Sequence, residues 1–190
     1  MNKLALLALC LAVLAGCGPR SEWQELAVPD GGFSVLMRGP PLVTPQHVDT
    51  PAGRMSAHLY SSDRPDAYFA VGYTDFPLAL AVGSEPEKIF AGSRDTWVKR
   101  IQGRLVSSSP LKLAGKYPGM QFTVEGTYQE RPAIVEGRLY LVDQRLYQVI
   151  ALTRQGEMPQ GIVNRYFESF KLIPVTYTDH VKVKPPPVVK

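Results

Sequence analysis

The chain has 190 residues, 45% of them apolar and 20% charged, with a formal net charge of +4, 3 histidines and 2 cysteines. That is the length and composition of about one globular domain, not of a disordered chain. Two cysteines exclude a multi-cysteine disulfide scaffold, and a Cys/His zinc finger, with four soft ligands at close spacing, is not expected.

Met1-Asn2-Lys3 is a short, positively charged start, and Leu4 to Ala15 is an unbroken apolar run of 12 residues. As a helix this run spans about 18 Å. A bilayer core is roughly 30 Å thick, so the run reads as the apolar region of a signal peptide and not as a transmembrane helix. It ends in Leu14-Ala15-Gly16-Cys17. This tetrapeptide resembles the lipobox of bacterial lipoproteins. The resemblance implies cleavage between Gly16 and Cys17, with diacylglycerol on the Cys17 thiol and a further acyl chain, palmitate for example, on the new amine. One acyl chain anchors a protein only marginally, whereas two or three hold it. The mature protein would then sit in the cell envelope, membrane-anchored and facing the periplasm. Gly18, a non-acidic residue after Cys17, implies the outer membrane if the cell has two. The other reading of Cys17, as a buried thiol or a disulfide partner of Cys10, stays open.

Cleavage would leave 174 residues with a net side-chain charge of about +3 and no cysteine free to pair. No run of five basic residues occurs, so nucleic acid is not an expected partner. The expected organisation is a signal peptide over 1–16, a lipidated Cys17 and tether over 17–23, one domain over 24–173, and a Pro/Lys-rich tail over 174–190.

Within the domain, Asp30-Gly31-Gly32 signals a turn, and Phe33 to Met37 alternates as a strand. Residues 39–52 hold Pro40, Pro41, Pro45 and Pro51 and read as a loop. Gly53 to Tyr60 alternates, with Met55, Ala57 and Leu59 on one side and Arg54, Ser56, His58 and Tyr60 on the other. Tyr68 to Thr74 is apolar on both faces and reads as a central strand. Ser84-Glu85-Pro86-Glu87 has the form of a capping box. Ile89, Phe90, Trp97, Val98 and Ile101 share a helical face, which predicts a helix over about 85–101, ended by Gly103.

Arg104–Ser108 and Leu111–Leu113 read as strands or as one bent strand. Gly119–Thr127 alternates, and Ala133–Val142 with Leu146–Leu152 forms a hairpin. Ile162, Val163, Tyr166, Phe167 and Phe170 carry the strongest helical spacing, after Pro159. Pro185-Pro186-Pro187 with Lys182, Lys184 and Lys190 predicts an extended arm, although Val175, Tyr177, Val181 and Val183 alternate and would also suit an edge strand.

Strand runs punctuated by isolated helices predict an α+β fold, a mainly antiparallel sheet of about six to seven strands with two helices packed on it. The order of elements resembles the Mog1/PsbP-like α/β/α sandwiches over most of 24–173. The resemblance rests on the Phe33-x-Val35 strand, the Tyr68–Tyr73 strand, a middle helix, a sheet meander and the closing Tyr166–Leu172 segment. It implies an accessory or binding role. The expected core is Phe33, Val35, Phe69, Val71, Phe90, Trp97, Phe122, Val124, Leu139, Leu141, Val149, Ala151, Val163 and Phe167.

No catalytic or metal site is legible. His47, His58 and His180 have no ligand spacing between them. There is no G-x-S-x-G, no S-x-x-K and no phosphate-binding glycine loop. Ser107-Ser108-Ser109 reads as a solvated edge, and the carboxylate pairs Asp63/Asp66 and Asp75/Glu85 as loop charge. Tyr60, Tyr68 and Tyr73 could present rings in one sheet region and bind a ligand, but Tyr68, Tyr73 and Trp97 suit the core better. The expected function is that of a membrane-anchored binding or accessory module with no cofactor, acting on an envelope protein or a small ligand. The alternative is an envelope hydrolase whose site assembles only in the fold.

Overall fold

The structure, a computed structural model, describes residues 23–50, 53–77, 83, 85–155 and 157–175. Period-2 alternation of β-branched and aromatic residues sets most of its elements. In chain order these are β1 (Trp23–Val28), β2 (Phe33–Arg38), β3 (Leu42–Thr50), β4 (Gly53–Asp63), β5 (Ala67–Asp75), α1 (Pro86–Arg100), β6 (Arg104–Leu113), β7 (Tyr117–Tyr128), β8 (Arg131–Val142), β9 (Arg145–Arg154), α2 (Gln160–Glu168) and β10 (Lys171–Leu172). Strands β3-β4-β5-β9-β8-β7-β6 form one seven-stranded sheet, and β1-β2-β10 form a second sheet of three. Every pairing is antiparallel. The class is α+β, as the element order predicts.

Each face of the large sheet has its own cover. One face, carrying Phe69, Val71, Tyr73, Val149 and Ala151, packs against the small sheet and α2 through Phe33, Val35, Val163, Tyr166 and Phe167. The Tyr166 hydroxyl donates to the Ala70 carbonyl at 2.7 Å and fixes α2 on β5. The opposite face packs Phe122, Val124, Val135, Leu139 and Leu141 against Phe90, Trp97 and Ile101 of the α1 segment. All fourteen residues of the expected core are buried. β5 is an interior strand, as its apolar faces predict.

Four local expectations are corrected. Residues 42–50 are not a loop: they form β3, paired with β4 from Leu42↔Ser61 to Thr50↔Gly53. Proline lacks the amide hydrogen that a central strand needs, but β3 lies at the sheet edge, where one side of the strand has no neighbour and Pro45 is tolerated. Trp23 is not tether but the first residue of β1, a strand its short WQELAV sequence does not announce. The N-cap of α1 is Glu85, with Pro86 in the first turn and no side-chain cap; the expected cap, Ser84, lies outside the described residues. Gly103 does not supply the left-handed residue after α1. Gln102 does, at φ 46°, and Gly103 is glycine for another reason: a Cβ there would sit 2.4 Å from the Glu125 carbonyl oxygen of β7.

The Arg104–Leu113 stretch is one strand with an irregularity between Leu105 and Ser107. Residues 1–22 and 176–190 lie outside the described residues, and so do the expected signal peptide, Cys17 and nearly all of the expected tail. At the last residue before that tail, the Ile173 amide donates to the Gly32 carbonyl at 2.9 Å.

Candidate functional site

The helix α1 does not cover its whole face of the sheet. It lies over β7 and β8, and the half formed by β4, β5 and β9 is left as the floor of a groove of about 510 Å³. Alternation aims Ala57 and Leu59 of β4, Ala70 of β5, and Leu146 and Ile150 of β9 into it. Gly72 lines the same floor because a Cβ there would meet the His58 carbonyl oxygen at 2.8 Å. The other wall is the flank of α1 with Ile89, Gly92, Ser93, Thr96 and Trp97. The small side chains of Gly92, Ser93 and Thr96 leave the space between this flank and the sheet unfilled. A Cβ on Gly92 would meet nothing within 4 Å.

Charged groups are few and exposed on α1, while the uncharged Thr74 and Gln148 lie on the floor strands β5 and β9. Lys88 and Arg100 are the only Lys, Arg, Asp or Glu among the described lining residues, and both are cations. Lys88 is paired with Glu85 at 3.1 Å. Arg100 lies over the Trp97 ring, 4.8 Å from its centroid. Beside it is Tyr68, whose hydroxyl is raised above its ordinary value by burial, against the hydrogen bond with Ser61 and the charge of Arg100. That hydroxyl is therefore protonated at neutral pH.

The residues singled out in the sequence are mostly elsewhere. His47 is exposed on β3, and His180 lies outside the described residues. His58 borders the groove, but alternation turns its ring to the other face, where it stacks on Tyr73 with centroids 4.6 Å apart. Tyr60 and Tyr73 also belong to that other face, whereas Tyr68 lies on the α1 side, so the three rings do not form one surface. Asp66 accepts a hydrogen bond from Arg38 at 2.8 Å. Asp75 accepts two from Arg145, at 2.6 and 2.7 Å, and Arg145 also donates to the Asp30 carbonyl at 3.0 Å. These carboxylates staple strands and turns. Ser107 and Ser108 are exposed on β6, the other edge of the large sheet, as expected.

Among the described residues, no group of three His, Cys, Asp or Glu is placed to hold a metal, and no helix is long and apolar enough to cross a membrane. The aliphatic hydroxyls that line the groove, Thr74, Ser93 and Thr96, have no carboxylate among the described lining residues, and the lining imidazole, His58, is stacked on Tyr73 instead, whereas a nucleophile needs a base within hydrogen-bond reach. A second concavity of about 620 Å³ lies beside α2. It sets Glu25 and Glu168 against Arg165 and Lys171, with no apolar floor comparable to that of the groove.

Helix α1 contributes what the sequence did not disclose. Its apolar stripe marks the buried face, but the neighbouring stripe of Gly92, Ser93, Thr96 and Arg100 reads as ordinary exposed helix. Small residues at i and i+4 beside an apolar stripe were the available signal.

No family model matches the chain, and no curated protein matches it in sequence. The solved structures similar in fold include the following three. The solution structure of cyanobacterial PsbP from Synechocystis sp. PCC 6803 has a TM-score of 0.49 at 14% identity, covering 84% of this chain and 98% of that one. A Pseudomonas aeruginosa protein of unknown function has a TM-score of 0.46 at 8% identity, over 70% and 99%. A Bacteroides thetaiotaomicron protein has a TM-score of 0.48 at 8% identity, over 80% and 48%. The likeness is distant and extends to the fold alone.

Proposed function

We propose that this chain is a non-catalytic binding module of the bacterial cell envelope, held to a membrane by lipid on Cys17, with the α1 groove as its ligand site. The observation that carries the binding role is the groove itself. Its size falls in the range of small-ligand pockets, about 300–1,000 Å³, and its apolar floor with few polar groups is the usual make-up of such sites. The anchor rests on Lys3, the apolar run Leu4–Ala15 and Leu14-Ala15-Gly16-Cys17.

Each half has its own test. An uncharged, environment-sensitive apolar dye such as N-phenylnaphthylamine should gain fluorescence with the wild-type protein. Gly92→Phe stands a ring in the groove without touching the core, so it should remove the gain while the melting temperature holds. An equal gain with the variant would place the dye elsewhere and reject the groove. Cells fed a fatty-acid analogue should label the wild type and not Cys17→Ala; equal labelling would end the anchor reading.

A further inference from the structure

We infer that the groove takes a free, single-chain anionic amphiphile, a long-chain carboxylate, with its head at Arg100 and its chain along the β4-β5-β9 floor. The inference rests on the groove being a ligand site and names the class of ligand.

The charge pattern points to an anion. An apolar trough with cations at its rim and no carboxylate among its described lining residues repels a positively charged head and leaves a neutral one without a charged partner. The two cations are not equivalent. Lys88 already has Glu85 beside it, whereas Arg100 has a ring contact with Trp97 and no carboxylate in any ion pair found among the described residues. A guanidinium offers a planar fork of donors that matches a carboxylate, and the protonated Tyr68 hydroxyl is close enough to feel its charge.

Length supports a single chain. Lys88 and Arg100 stand twelve residues apart on the helix axis, about 18 Å. An extended chain advances roughly 3.5 Å per three bonds, as a polypeptide backbone does. The wall therefore matches about fifteen to sixteen carbons.

The test uses the purified full-length protein at pH 7.5 and ligands below their micelle-forming concentrations. Dodecanoate and dodecanol, equal in chain and different in head, are titrated as competitors of the bound dye. Dodecanoate should bind about three- to tenfold more tightly, the difference a charge-assisted hydrogen bond makes at a partly solvated site. Arg100→Gln should remove that preference and leave dodecanol unchanged, and Lys88→Gln should change neither. From decanoate to tetradecanoate, affinity should rise about three- to fourfold per methylene and then level off. Equal affinities for the two heads, with Arg100→Gln silent, would overturn the anion and leave the apolar site standing. A preference lost in Lys88→Gln instead would overturn the placement of the head at Arg100. Binding of neither ligand would overturn the groove and this inference together.

Discussion

At the scale of single residues, close approach decides more than conformational freedom. Gly103 and Gly126 meet where the chain leaves α1 and crosses β7: a Cβ on Gly126 would lie 2.4 Å from the Ile101 carbonyl oxygen, and one on Gly103 equally close to that of Glu125. The Thr127 amide donates to the Ile101 carbonyl at 2.8 Å in the same crossing. Both obstacles are backbone and cannot rotate away. Gly103→Ala should therefore cost about 1–3 kcal/mol, as overpacking does, and lower the melting temperature by several degrees. An unchanged melting temperature would mean that the crossing is looser than its geometry. Asp66 makes the clearest acid-side prediction. Burial alone would raise its carboxyl, but the hydrogen bond and charge of Arg38, its own backbone bond and the charge of Arg64 outweigh that and hold it below its ordinary 3.8. A depressed carboxyl contributes stability that is present above its unfolded value and is lost as pH falls through the folded value. Denaturant titrations should show the wild type losing stability from about pH 4 downward, with Asp66→Asn flatter over the same range. Identical slopes would remove Asp66 from the account.

At the scale of elements, α2 holds two layers together. Its Val163, Tyr166 and Phe167 fill the space between the large sheet and the small one, and the Ser169 hydroxyl just past its end accepts the Leu36 amide at 2.9 Å. That hydroxyl satisfies β2 at a position beyond the reach of the two-residue β10, which pairs only with Ser34 and Phe33. Phe167 is 5% exposed, with the Arg138 guanidinium 4.9 Å from its ring centroid. Phe167→Ala should cost about 3–5 kcal/mol, read as a shift of the urea midpoint. A loss well under 1 kcal/mol would detach α2 from the core. Edge strands follow a different logic. β3 and β6 close the large sheet at its two ends, each with a proline, Pro45 or Pro110, and β6 has its irregularity at Val106. Prolines and bulges discourage pairing with other chains, which matters for a strand such as β3 that leaves Leu42 and Val43 exposed at 68% and 57%.

At the scale of the whole molecule, tyrosines tie the layers together and set its alkaline limit. Burial, the largest effect in each case, raises Tyr60, Tyr68, Tyr73, Tyr140, Tyr147 and Tyr166 above their ordinary 10.0. Tyr73 reaches about 12, where burial is helped by Tyr60, Asp75 and Asp30 and opposed by Arg145. The Tyr147 hydroxyl donates to the Gly31 carbonyl at 2.7 Å and joins the small sheet to the large one. A raised acid stabilises the fold fully below its unfolded value, and that contribution is lost as pH rises through the folded one. Stability should be level up to about pH 10 and then fall steeply towards pH 12. Absorbance at 295 nm should show the tyrosinate signal lagging and then rising together with unfolding. Complete ionisation near pH 10 with the fold intact would contradict it.

Local pattern was enough for the α+β class, for both helices and for the buried list from Phe33 to Phe167, because alternation and 3.6-residue spacing are properties of neighbours in sequence. Only the tertiary structure decided what depends on who lies beside whom. Pro45 looks like a loop residue until β3 proves to be an edge. Gly103 looks like a helix terminator until β7 crosses it at carbonyl distance. Met55, Ala57 and Leu59 share one face, as their alternation requires, but whether that face is closed core or open groove depends on where α1 comes to rest. The helix rests over β7 and β8, and its small-residue flank leaves the space above β4, β5 and β9 unfilled; that gap, a property of two elements and not of either one, is the groove.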